Sequence, residues 1–307
     1  KSDSTLVAML YRDADDSAVQ KRRPDYIAKL TGDGSFRFVN LPAGVFRIYA
    51  LKDGDGGKTY NAKFEMFAFA DLPVTVSGNT APVQLYAFAS EKDTRGASTA
   101  TPPKNTEKKL RYVSDAQGGS QDLLSDLVIS FNRPIRDIDP AKIVLTDTNY
   151  VRVDSKLTLD STRKILTLQS AWTEDRELRL VIDSAAITDS TGGRLAKNDT
   201  LRFKTRKESD YGSILLRFPK LDLSKKPVLQ FSQGEGVKYA YPITSAEWSK
   251  KLFATGEYEL SILYDTNGNG KWDPGDYSKK LQPELVIPIT QKLGIRANWE
   301  NEREIRL

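Results

Sequence analysis

The chain has 307 residues and contains neither cysteine nor histidine, which removes disulfide scaffolds, Cys/His zinc sites, thiol nucleophiles and imidazole bases together. Its 46 Lys and Arg face 41 Asp and Glu, and the resulting +5 is dispersed: +1 over residues 1–90, +3 over 91–206 and +1 over 207–307. Nucleic-acid binders concentrate positive charge on one face or segment, so no nucleic-acid partner is expected, and no apolar run approaches the ~20 residues of a membrane-spanning helix.

Lys1 is not an initiator Met and no signal peptide precedes the strand pattern Leu6 to Tyr11, so the numbering is expected to start inside a longer precursor. From there the chain is made of short alternating segments bounded by Gly, Pro, Asn or Asp. Examples are Phe36 to Val39, Val45 to Ala50, Leu127 to Phe131, Ile165 to Leu168, Leu178 to Ile182 and Leu201 to Thr205. Alternation with β-branched and aromatic content is the signature of half-buried strands. No fifteen-residue window carries a 3.6-residue apolar period. Ser245 to Lys250 reads as one helical turn or as a turn into a strand. The chain is therefore expected to be nearly all β.

An internal repeat organises the ends. Ala43 to Asp53 aligns without gaps on Thr255 to Asp265, pairing Gly44 with Gly256, Phe46 with Tyr258 and Ile48 with Leu260. Asp53 to Lys58 then matches Asp265 to Lys271 with one residue deleted, and the closing strands are aligned by setting Pro73 on Pro283, Leu85 on Ile295 and Ala87 on Ala297. The first and last thirds are thus expected to share one fold of roughly ninety residues. Between them, residues 91–107 are rich in Ser, Thr, Pro and charge and read as a linker. Residues 108–206 carry about seven strand candidates separated by turn signals, as a sandwich domain of ~100 residues does. The expected division is 1–90, a linker at 91–107, 108–206 and 207–307.

The most specific local motif follows the strand Tyr258 to Tyr264. Asp265, Asn267, Asn269, Asp273 and Asp276 occupy positions 1, 3, 5, 9 and 12 of a twelve-residue loop, Gly270 occupies position 6, and Lys271 offers its carbonyl at position 7. That is calcium-loop spacing, with Asp276 in place of the usual bidentate Glu. The expected role is structural, because three carboxylates crowd one loop without a cation. The competing reading is an Asn-Gly-rich hairpin loop that needs no metal. Trp272 and Tyr277 are expected to pack over the loop. Asp53 and Asp55 form a shortened version, with Glu65 near the place of the last ligand, and an ordinary Gly-rich turn is preferred there. Asp13, Asp15 and Asp16 read as a solvated acidic loop. No pair among the 41 acidic residues is singled out for glycosidase chemistry, and no phosphate-binding Gly-rich loop occurs. Trp172, Trp248, Tyr239, Tyr241 and Trp299 suit either a sugar-stacking platform or three cores, and cores are preferred.

Thr31-Gly32-Asp33-Gly34, then Phe36-Arg37-Phe38, Leu41-Pro42-Ala43-Gly44 and Phe46-Arg47-Ile48, resemble the carboxypeptidase-regulatory-like and transthyretin-like modules. Leu127 to Ile135, Asp139 to Leu145, Ala186 to Gly192 and Asp199 to Thr205 resemble the bacterial Ig-like domains of S-layer and surface proteins. The whole arrangement is similar to the C-terminal part of Ig-like-domain outer-membrane lipoproteins of Bacteroidota. Asp16-Ser17-Ala18, Asp183-Ser184-Ala185 and Asp199-Thr200-Leu201 look like the O-glycosylation sequon of that phylum, although Asp and Ser are also ordinary turn residues.

The resemblance implies three tandem β-sandwich modules in the order transthyretin-like, Ig-like, transthyretin-like. It implies a non-enzymatic accessory or structural subunit with an outer-membrane protein partner, held to the membrane only by an N-terminal lipid anchor outside these residues. The alternative is a glycan-binding or adhesion module at the cell surface. Calcium is the one cofactor expected.

Overall fold

The computed structural model describes residues 5–13, 15–54, 56–78, 80–91, 109–116, 118–234 and 236–307. The chain is nearly all β, as its alternation implies, with one four-residue helix and four 3-10 turns among the described residues. Asp55 and residues 92–108, which hold most of the expected linker, lie outside the described residues.

In the first third, β1 (Leu6–Arg12) is followed by α1 (Ala18–Lys21), β2 (Tyr26–Lys29), β3 (Gly44–Lys52), β4 (Phe67–Phe69) and β5 (Val74–Val76). One antiparallel sheet runs β2-β1-β3-β4, with β5 also on β3. β1 and β3 are central and buried on both faces, so they read as near-continuous apolar runs. Their register sets Met9 opposite Tyr49 and Leu10 opposite Ile48. One face packs Val7, Met9, Tyr11, Tyr49 and Leu51 with Phe67, Phe69 and Phe88. The other face buries Leu10, Phe46 and Ile48 beneath Phe36, Phe38, Val83 and Leu85. Phe36 to Val39 alternates in burial as expected, but it joins no ladder among the described residues and forms no strand.

The middle region contains β6 (Tyr112–Ser114), β7 (Ser120–Gln121), β8 (Leu127–Phe131), β9 (Ile135–Ile138), β10 (Ile143–Thr146), β11 (Lys156–Leu159), β12 (Ile165–Gln169), β13 (Glu177–Ile182), β14 (Ile187–Asp189) and β15 (Asp199–Thr205). Two sheets, β10-β13-β15-β7 and β11-β12-β8-β6, enclose a core that includes Leu127, Ile129, Leu145, Leu168, Leu180 and Phe203, with β14-β9 forming a small ribbon. This is sheet-on-sheet packing, in which inward residues alternate with polar outward ones.

The last third contains β16 (Gly212–Arg217), β17 (Pro227–Gln233), β18 (Gly236–Pro242), β19 (Glu247–Phe253), β20 (Gly256–Tyr264), β21 (Val286–Ile295) and β22 (Glu300–Glu304). Its sheets are β18-β17-β20-β21 and β19-β16-β22. Ser245 to Lys250 is thus a turn into β19. Gly44 and Gly256 open the equivalent strands β3 and β20 at φ 158° and 146°. A Cβ on Gly256 would stand 2.6 Å from the Gln233 amide nitrogen, so both backbone and packing favour glycine there.

Register also corrects one part of the repeat. Gly44 pairs with Val76 and Gly256 pairs with Ile295. Leu51 pairs with Phe67 and Leu263 with Val286. Val76, not Leu85, is therefore the counterpart of Ile295. The ungapped spacing misplaces the closing strands because the loops before them differ in length.

Candidate functional site

The loop from Asp265 to Glu284 leaves β20 and returns into β21. Asp265 is 3% exposed. One of its oxygens accepts from the backbone N–H of Gly268 at 2.7 Å and of Asn269 at 3.2 Å, and the other from Gly270 at 2.6 Å. Gly268 and Gly270, at φ 78° and 76°, wrap the chain around that carboxylate. Asn267 Oδ1 accepts from Asn269 N, and Asn269 Oδ1 accepts from Lys271 N. The two amide nitrogens converge on Asp273 Oδ2 at 2.5 and 2.6 Å. Positions 1, 3, 5 and 9 are thereby gathered, with the Lys271 backbone tied to them.

Asp276 does not join them. It caps the 3-10 turn Tyr277–Lys279 by accepting from Ser278 N at 3.0 Å, and it lies 3.4 Å from the Lys279 ammonium. The Ser278 hydroxyl, first among several donors, holds its carboxyl below the usual carboxylate range. Glu284, 9% exposed, stands over the loop in its stead. Its carboxylate accepts from Thr266 N at 2.8 Å, from the Thr266 hydroxyl at 2.9 Å and from Asp273 N at 3.1 Å. Sequence reasoning missed Glu284 because it lies beyond the twelve-residue window. The usable signal was in the repeat: Glu284 and Glu65 each stand two residues before the equivalent positions Val286 and Phe67, and both are buried.

The two loops differ in how their charge is met. In the first third, the buried Asp53 carboxylate lies 2.8 Å from the Lys58 ammonium and accepts from Lys58 N at 3.2 Å. The loop therefore carries its own cation. In the last third, Asp265, Asp273 and Glu284 have no ion-pair partner among the described residues. The nearby Lys226 ammonium is directed instead to the Thr266 carbonyl at 3.1 Å. Burying carboxylates without a counter-charge is costly. Among the described residues, no three His, Cys, Asp or Glu side chains converge as a metal cluster. The loop's other oxygen donors are the amides of Asn267 and Asn269 and backbone carbonyls.

Beyond Asp273 the loop leaves its own sheet and docks on the first third. Tyr277 does not pack over the loop, as expected, but enters the aromatic core around Tyr49, Phe67 and Phe69, with ring centroids at 5.8, 5.1 and 5.2 Å. Its hydroxyl donates to the Asp16 carbonyl at 2.6 Å. Burial, reinforced by the Tyr49 hydroxyl, pushes its ionisation far up. The Lys280 ammonium sits 3.7 Å from the centre of the Tyr277 ring and 3.2 Å from Asp16. Gln282 donates to the Phe69 carbonyl and to Asp71, and the Ser90 hydroxyl donates to the Gly275 carbonyl. Trp272 stays with the loop and donates its indole N–H to the Glu284 carbonyl at 2.9 Å.

The acidic residues Asp13, Asp15 and Asp16 are used locally. Asp13 faces Arg12, Asp15 accepts from Ser17, and Asp16 pairs with Arg47 and Lys280. Trp172, Trp248, Tyr239 and Tyr241 pack against cores, whereas Trp299 is exposed. Asp183 and Asp199 accept from the N–H groups of Ala185 and Thr200, as turn residues do.

No family model matches this sequence, and no curated protein matches it. The fold is similar to native alpha-2-macroglobulin from Escherichia coli spanning domains MG0-NIE-MG1, at 14% identity and a TM-score of 0.30, over 60% of this chain and 72% of that one. It is similar to the N-terminal part of the bacterial S-layer protein SbsC at 11% identity and a TM-score of 0.29, over 60% of this chain and 44% of that one. It is similar to BcpA, the major pilin subunit of Bacillus cereus, at 9% identity and a TM-score of 0.17, over 98% and 95%. No helix among the described residues is long and apolar enough to cross a membrane.

Proposed function

We propose that this chain is a non-enzymatic structural or accessory subunit of the bacterial cell envelope, built from β-sandwich units at 1–90, 108–206 and 207–307. The observation that carries this reading is the insertion of Tyr277 from the last third into the aromatic core of the first. A side chain that completes another unit's core braces the two ends against each other, which suits a rigid arm that positions partners. The finer reading, an outer-membrane lipoprotein attached to a membrane protein complex, draws on the family resemblance. It is tested by purifying the tagged full-length protein from native envelopes in gentle detergent with calcium present. A stoichiometric outer-membrane protein in the eluate is expected, and recovery of the chain alone would overturn the assignment.

The same proposal includes a structural calcium ion in the 265–284 loop. Asp265, Asn267, Asn269, the Lys271 carbonyl and Asp273 would hold it, with Glu284 in the role first given to Asp276. The support is the contrast with Asp53, whose counter-charge is Lys58. Amide oxygen and nitrogen exchange places on a half-turn of the side chain, so the Asn267 and Asn269 groups that now donate to Asp273 can present oxygen instead. Calcium is hard and takes such oxygen ligands.

A further inference from the structure

The 265–284 loop holds the only two Asn-Gly pairs of the chain, Asn267-Gly268 and Asn269-Gly270. In such a pair the glycine has no side chain to shield its backbone nitrogen, so that nitrogen can reach the Asn side-chain carbon. All four residues are exposed to water. What sets these pairs apart from any Asn-Gly sequence is the arrangement around the atoms that would react.

At Asn269 the groups needed for attack are in place. The Gly270 N–H donates to Asp265 Oδ2 at 2.6 Å, an oxygen that takes no other donor among the described residues. Asn269 Oδ1 accepts from the Lys271 N–H at 2.7 Å. That bond closes an Asx turn, which carries the Asn269 side-chain carbon back along the chain over the Gly270 peptide. The amide nitrogen that would leave is turned away, towards Asp273 Oδ2 at 2.6 Å. An amide N–H lies in the peptide plane and the nitrogen's electron pair stands perpendicular to it, so Asp265 can hold the proton while the nitrogen attacks. At Asn267 the same contacts are weaker. Its oxygen accepts at 3.0 Å, and the Gly268 N–H shares Asp265 Oδ1 with the Asn269 N–H. The repeat sets Asp55 where Asn267 stands, so a carboxylate already occurs in the sister loop.

We propose that Asn269 converts itself to aspartate. Gly270 N forms a bond to Asn269 Cγ and gives its proton to Asp265, while the charge on Oδ1 is held by the Lys271 N–H. The Cγ–Nδ2 bond then breaks, the departing nitrogen receives that proton through solvent, and ammonia leaves behind a cyclic succinimide. Water adds to Cγ, the bond to Gly270 N breaks, and Gly270 N regains a proton. The sum is one water consumed, one ammonia released and an amide replaced by a carboxylic acid, with no change of oxidation state. The Lys271 N–H polarises Cγ and not the Asn269 backbone carbonyl, so the ring opens to normal aspartate, not to isoaspartate. The new carboxylate adds ligand charge at position 5 of the loop, the change by which calcium loops gain affinity. That consequence rests on the calcium reading; the covalent step does not.

The test incubates the full 307-residue chain in chelator at neutral pH and follows by mass spectrometry the peptides that contain residues 265–276. A synthetic peptide of residues 263–275, which has the sequence without the fold, is the reference. The expected result is a gain of one mass unit at Asn269 before Asn267. It should be about tenfold faster or more than in the peptide, within the reach of one positioned base. The product should be aspartate in the chain and chiefly isoaspartate in the peptide, told apart by electron-transfer fragmentation. Asp265→Asn should slow the chain to the rate of the peptide. If that variant does not fold, the ratio of parent chain to peptide and the identity of the product still decide. A rate in the folded chain equal to or below that of the peptide would overturn the proposal, and so would isoaspartate as the main product. Neither outcome touches the calcium reading, which is lost only if calcium gives no heat of binding and no rise in melting temperature.

Discussion

The hydroxyls of Tyr277 and Tyr49, 228 residues apart in the chain, lie 3.0 Å from each other in a buried contact, with their rings edge-on at 5.8 Å. Tyr49 belongs to the central strand of the first sheet and Tyr277 to a loop of the last. A buried polar tip on an aromatic body is favourable only when it finds a partner. Here the Tyr277 hydroxyl finds two, Tyr49 and the Asp16 carbonyl. The contact therefore specifies how the loop docks as well as burying area.

Replacing Tyr277 separates these contributions. Tyr277→Phe keeps the ring and loses the hydroxyl, and should destabilise the chain by about 1–3 kcal/mol, because partners are left unpaired in a buried site. Tyr277→Ala should cost about 3–5 kcal/mol, as large-to-small core changes do. Thermal unfolding with hydrogen exchange checks both. The extra exchange should appear in β3 and β4 of the first third, although the substitution is in the last. Loss of protection confined to residues 265–285 would contradict the brace.

The metal reading makes a residue-level forecast that differs from loop spacing alone. Calcium that binds only the folded chain stabilises it by mass action, about 2.7 kcal/mol at a hundredfold excess over Kd, so excess calcium should raise the melting temperature relative to chelator. Asp273→Asn and Glu284→Gln should each weaken calcium binding at least tenfold by calorimetry. Asp276→Ala should leave it unchanged while loosening the Tyr277–Lys279 turn that Asp276 caps. Equal melting curves in calcium and chelator, with no heat of binding, would remove the ion from the proposal.

What the sequence displayed, and what it hid, divides along the range of the interaction. Alternation in β8, β12, β13, β15 and β20 reports which face of a strand is buried, and those strands form where expected. The same alternation in Phe36 to Val39 reports a buried face equally well. It says nothing about which backbone pairs with it, so the expected strand is absent from the ladder. Asp265, Asn267, Asn269 and Asp273 were legible because their spacing is local. Glu284 was not, because its approach depends on how β21 re-enters the sheet. The destination of Tyr277 depends on a surface more than two hundred residues away, which no local pattern encodes.

Acid should weaken the fold through exposed turn carboxylates. Asp160 is held at about 2 by the Thr162 hydroxyl first and by backbone N–H groups of Ile165, Lys164 and Thr162, and Asp33 at about 2 by Thr31 and Ser35. Folded values below the ordinary 3.8 mean that the folded state favours the ionised form. Their contribution is thus complete above pH ~4 and lost as pH falls towards 2. Melting temperature measured across that window should fall less steeply for Asp160→Asn than for the parent. Parallel slopes would show that this turn does not report on stability.

Gly275 offers a way to break the docking from within the 265–284 loop without replacing any of the proposed metal ligands. A Cβ built on it would stand 2.6 Å from two ring atoms of Phe88 and 2.8 Å from the Leu281 carbonyl, so neither neighbour can yield cheaply. Gly275→Ala should cost about 1–3 kcal/mol, the usual range for overpacking, and should expose β4 and Phe88 to exchange. Gly270→Ala is the converse: its Cβ would meet open space, but its φ of 76° is one that L side chains rarely adopt. That variant should distort the wrap around Asp265 and lower calcium affinity while leaving Tyr277 seated. If both variants lowered calcium affinity equally, the loop and the brace would be one cooperative unit, and calcium would control how rigidly the two ends of the chain are joined.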